Sequence, residues 1–148
     1  MTRATPRLRD FAERLISFEA TRAKSSAATP AAVFAVIEKL RPTLTQVVGY
    51  QGFGAFLARA LGSAKVDVAW LRSVRVRTDG FWEGLERLED HVDRSEIAEG
   101  SVVLLDQFIG LLVELIGERL LLQWVRQAFP EMLERDFYLG EGNEREKN

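Results

Sequence analysis

The chain has 148 residues, 47% hydrophobic and 28% charged, with a formal net charge of −2, the profile of one globular domain with a core of its own. No cysteine and a single histidine are present, which excludes disulfides, thiolate zinc sites and cysteine nucleophiles. Residues 1–16 contain no continuous apolar run, so no secretory leader is expected; Met1 reads as the start of a full product and the location expected is cytoplasmic.

Thr5-Pro6 opens the first predicted helix, a hydroxyl N-cap followed by proline at the first helical position. Leu8, Phe11, Ala12, Leu15, Ile16 and Glu19 then recur at spacings of three and four, one stripe facing a core. Arg7, Arg9, Glu13, Arg14 and Arg22 fall mostly outside it. Residues 24–29 are small and polar, a connection. Thr29-Pro30 repeats the start signal, and Val33, Phe34, Ile37 and Leu40 form the second stripe. Pro42 is expected to stop this helix near Arg41, because the residue before a proline disfavours helical dihedrals.

Residues 43–49 read as a short helical turn carrying Leu44, Val47 and Val48. The run GYQGFG at 49–54 has the look of a glycine-rich phosphate loop, but no strand precedes it and no Gly-Lys-Ser/Thr follows. It reads instead as the entry to a third helix, with Phe53, Phe56, Leu57, Ala60 and Leu61 inward and an end at Gly62-Ser63. Val66, Val68, Val74 and Val76 then alternate with polar residues. Asp79-Gly80 suits a two-residue turn, which places a hairpin at 73–78 and 81–85. That register sets Arg77 opposite Trp82, a cation–π pair worth about 0.5–1 kcal/mol when exposed.

Residues 86–99 are acidic. The only histidine, His91, stands among Glu89, Asp90 and Asp93. One imidazole among surface acids is a poor metal site, and no nucleophile elbow accompanies it, so neither metal nor cofactor is expected and the chain reads as non-enzymatic.

Residues 101–129 are the most apolar stretch and read as one long helix ended by Pro130, capped by Asp93 or Ser95 if it starts as early as Glu96. On a wheel of 100° per residue, Leu104, Leu105, Phe108, Ile109, Leu111, Leu112, Leu115 and Ile116 cover more than half the girth, the mark of a buried helix. Asp106, Glu114, Glu118, Arg119 and Arg126 interrupt it too often for a membrane span. Its length of about 43 Å exceeds the roughly 38 Å expected across a compact chain of this size, so either the other elements sheathe it or a second copy does. Gly110 and Gly117, seven apart on one face, suggest a close approach by another side chain or helix.

Carried around the same wheel, Arg119, Gln123 and Arg126 fall at the centre of the broad apolar face, with Trp124 alongside. A buried guanidinium needs a partner. These four residues are therefore the candidate binding site, for an anion or an acidic peptide, unless internal carboxylates pair with the arginines or this end emerges into water. Met132, Leu133 and Phe137 suggest a last helical turn, and 140–148 read as a disordered tail after a single domain at 1–139.

Charge is unevenly distributed. Residues 1–77 hold 13 basic and 5 acidic side chains, +8, and residues 78–148 hold 7 and 17, −10. The basic residues are dispersed over several elements and not interleaved with aromatics, so the halves are expected to complement each other, within a chain or between two, and nucleic-acid binding is not expected. The fold class expected is mainly α: four to five helices packed around one long C-terminal hydrophobic helix, with one small β-hairpin. The function expected is a protein-interaction module, adaptor or regulator, that self-associates as a homodimer. The alternative is a sensor or carrier holding a small ligand between helices, in a cavity lined by Trp70, Trp82 and Trp124.

Overall fold

The structure, a computed structural model, describes residues 6–22, 30–77, 81–84 and 92–132. They form a mainly helical body with one small antiparallel sheet: α1 (Pro6–Arg22), α2 (Pro30–Asp67), a 3-10 turn (Ala69–Ser73), β1 (Arg75–Val76), β2 (Trp82–Glu83), α3 (Arg94–Ile116) and α4 (Glu118–Ala128). His91, the predicted turn at Asp79-Gly80 and the predicted tail lie outside the described residues.

The stripe on α1 is buried as spaced, from Leu8 through Phe11, Ala12, Leu15 and Ile16 to Ala20. Helix α2 departs from expectation, running through Pro42 instead of stopping at Arg41. Proline in a helix interior costs about 3 kcal/mol, but Ile37, Leu40 and Leu44 continue one buried stripe past it, and burying each such side chain returns about 1.5–3 kcal/mol. The real interruption comes at Gly49, whose φ of 80° and ψ of 170° lie outside helical space. Beyond it, Phe53, Leu57, Ala60, Leu61 and Ala64 face inward. The helix passes Gly62, where a Cβ would meet only open space, and ends at Asp67.

The hairpin pairs Arg75 with Glu83 and Val76 with Trp82. The expected Arg77–Trp82 pairing is therefore off by one residue. The Arg77 N–H donates to the Phe81 carbonyl at 2.6 Å, so the connection is longer than a two-residue turn.

Helix α3 is covered along its centre, with Leu104, Leu105, Phe108, Ile109 and Leu112 fully inside. It packs chiefly on α2, then on α1. Phe108 meets Phe53 and Phe56 edge-on at 6.4 and 5.8 Å between ring centroids. The single long helix expected over 101–129 is broken: Gly117 adopts φ 87° and ψ 161°, and α4 starts afresh. The ladder closes on both sides of the break, the Gly117 N–H donating to Val113 O at 2.8 Å and the Leu121 N–H to Gly117 O at 3.2 Å. Its 23 residues make α3 about 34 Å long, inside the span of the body. The excess length that called for a second copy is gone.

The two charge halves meet within the chain. Arg9 reaches Glu99 at 2.6 Å and Arg75 reaches Glu83 at 3.2 Å. Among the described residues no helix is long and apolar enough to cross a membrane.

Candidate functional site

Helix α4 sets the predicted binding residues in a new frame. Leu121, Trp124 and Val125 point inward and are buried, with Phe129 just beyond the helix end. Arg119, Gln123 and Arg126 are exposed and share an arc of about 60° on the opposite side. A single wheel carried through Gly117 puts them on the apolar face, but the helical phase is lost at that residue. The structure thus gathers Arg119, Gln123 and Arg126 on one solvent face, sets Leu120 about 90° round the helix from the centre of that arc, and turns Trp124 away from them. The arginines at this end of the chain emerge into water.

Around the break the body is left incompletely covered. Leu115 is 54% exposed and Leu120 37%, one on each side of Gly117. A Cβ at Gly117 would meet nothing within 4 Å, so this glycine serves the positive φ and not the close packing expected of it. A second apolar pair, Val47 at 58% and Tyr50 at 69%, flanks the break at Gly49 in the same way.

An open cleft of about 450 Å³ lies where the end of α2 meets the first turn of α3, lined by Asp67, Val68, Trp70, Ser95, Glu96 and Gly100 among others. Trp70 forms one wall, its indole N–H donating to the Glu96 carbonyl at 2.9 Å. Gly100 makes this contact possible: a Cβ there would lie 2.5 Å from Trp70 Nε1 and 2.6 Å from Val68 Cγ1. The three tryptophans stand in three different settings. Trp70 lines this cleft, Trp82 packs on Phe34 at 4.5 Å, and Trp124 is buried beneath α4.

Two buried charges were missed from the sequence. Arg41 is 8% exposed. Its guanidinium lies over the rings of Phe81 at 4.1 Å, Phe53 at 4.4 Å and Trp82 at 5.5 Å. Its Nε and Nη2 donate to the Glu38 carboxylate at 2.9 and 2.7 Å, while Nη1 has no acceptor. The cluster clasps the hairpin to α2. Asp106, 1% exposed, stands on α3 with Oδ1 unpartnered. Burial pushes its carboxyl up to about 6, and the charge of Arg9 opposes the shift. Ser101, on the same helix, is also buried with its hydroxyl unpartnered.

Among the described residues no group of three or more Asp, Glu or His side chains is placed to hold a metal ion. No family model, curated protein or solved structure matches this chain.

Proposed function

We propose that this chain is a non-enzymatic interaction module, adaptor or regulatory in role, that self-associates as a homodimer through the face around Gly117. The observation that carries the reading is the exposure of Leu115 and Leu120 on either side of the backbone break at Gly117. One exposed leucine is ordinary. A pair bracketing a break, bordered on α4 by Arg119, Gln123 and Arg126, has the make-up of an interface centre with a polar rim. An isologous contact would set each leucine pair against its own copy. A cytosolic location is part of the proposal, and a chain without cysteine has no disulfide that would call for an oxidising compartment. Light scattering at micromolar concentration tests the proposal: a dimer is expected, and a strict monomer ends it.

The cleft at Trp70 favours the second reading, a small-ligand sensor or carrier. Its size falls within the range of small-molecule sites, and Trp70 gives it an aromatic wall. Intrinsic fluorescence titrated with a library of small amines and acids tests it: saturable change in wild type, lost when a bulky side chain replaces Ala69, supports the reading, and a flat response throughout discards it.

A further inference from the structure

Asp106 belongs to the face of α3 that meets α1. Glu99, Val102 and Asp106 follow one another at spacings of three and four, one stripe on a helix. Glu99 holds Arg9 of α1, and Val102 shares a shallow groove with Glu13, Ile16 and Ser17 of α1. The carboxyl on this stripe is shut away from water, and Oδ1 accepts no hydrogen bond. Arg9 is the one charged group among the described residues that acts on it. That guanidinium is already engaged by Glu99 at 2.6 Å and by Glu13 at 3.9 Å. A buried carboxylate without its own counter-ion or donors favours the neutral acid. Its ionisation in place is opposed, and the cheapest relief is water reaching it as α1 lifts from α3.

We propose that the protonation of Asp106 sets how firmly α1 is docked on α3, so that α1 is held in acid and loosens as the carboxyl ionises. The sign follows from linkage. The docked state binds the proton more tightly than the undocked one, so docking is strongest below the ordinary carboxyl range. It weakens as pH rises toward about 6, the value the docked carboxyl reaches. Above that pH the loss is complete. A lifted α1 would bare Phe11, Leu15 and Ile16, the centre of its buried stripe.

Amide hydrogen exchange of the full chain at pH 5 and pH 7.5, corrected for intrinsic rates, reads this directly. Peptides from α1 should lose about tenfold in protection across that interval, while peptides from the second half of α2 hold theirs. In Asp106→Asn the α1 loss should vanish. In Arg9→Gln, which removes the one charge favouring ionisation, the midpoint of the loss should move to higher pH. Protection of α1 that ignores pH overturns the proposal. So does a loss shared equally by α1 and α2, or an Arg9→Gln midpoint that stays or falls. If Asp106→Asn does not fold, the wild-type profile and the Arg9→Gln midpoint decide.

Discussion

Replacing Gly100 by alanine puts two effects of opposite sign in competition. Gly100 is a buried helical residue in the second turn of α3, and at an open helical site alanine would stabilise by about 1 kcal/mol. Here the new Cβ would fall 2.5 Å from Trp70 Nε1, 2.8 Å from Trp70 Cε2 and 2.6 Å from Val68 Cγ1. Two of these atoms belong to a rigid indole that is itself buried and tied to the Glu96 carbonyl at 2.9 Å. The ring cannot swing aside without giving up that bond, worth about 1 kcal/mol. Overpacking of this kind costs about 1–3 kcal/mol more. The balance is a destabilisation of about 1–3 kcal/mol. Urea unfolding followed by tryptophan fluorescence measures it, as a lower midpoint with an unchanged slope. A Gly100→Ala protein about 1 kcal/mol more stable than wild type would show that propensity alone governs the site, and the close approach of Trp70 would be refuted.

Three further outcomes are expected. Gly117→Ala should lower stability by about 1–2 kcal/mol, because its φ of 87° suits glycine alone; a continuous helix through this position would instead gain about 1 kcal/mol, so the sign of the shift in the urea midpoint discriminates. Arg41→Met should free the hairpin from α2 by removing the cation that Phe81, Phe53 and Trp82 surround, with a loss of about 1–3 kcal/mol; acrylamide quenching of Trp82, read in a variant with the other two tryptophans changed to phenylalanine, should rise, and unchanged quenching would remove the clasp. Asp106→Asn should stabilise the protein by about 1–3 kcal/mol above pH 6 and by nearly nothing below pH 4, since only the ionised form is penalised; denaturation at pH 4 and 7.5 checks this, and an equal effect at both pH values counts against a raised carboxyl.

What could be read from the sequence was set by local periodicity. The stripes of α1, of both halves of α2 and of α3 as far as Leu112 are buried largely where their spacing put them, but Leu115, expected on the buried face of α3, is exposed beside the break at Gly117, and the hairpin is present. The failures fall where a local signal has two physical outcomes. Proline at 42 reads as a stop, yet apolar burial on both sides carries the helix through it. Gly110 and Gly117 carry the same helix-weakening chemistry, yet one is buried inside α3 and the other takes a positive φ. Only packing around each separates them. From that ambiguity came the largest error at the candidate site: a wheel extended past Gly117 turned Arg119, Gln123 and Arg126 inward. Asp79-Gly80 suggested a two-residue turn, but the pairing of Val76 with Trp82 is decided by Trp82 seating on Phe34 and Arg41. The Arg41 cluster draws on residues from α2 and the hairpin that are far apart in the chain, and no spacing rule could have assembled it. Asp106 carries a signal, as an acid in the most apolar stretch, but on the wheel it falls in the narrow polar strip with Gln107 and Glu114, and only the packing of α3 shows it buried.

The absence of cysteine makes a single introduced thiol the only one in the chain, and this allows a direct test of self-association through the face around Gly117. A nitroxide attached to Arg119→Cys reports the separation of the same residue in two copies by dipolar spectroscopy. The account predicts a discrete short intermolecular distance at micromolar concentration, abolished when Leu115 and Leu120 are both changed to serine. A label that shows no intermolecular coupling, or coupling indifferent to the loss of both leucines, would contradict it.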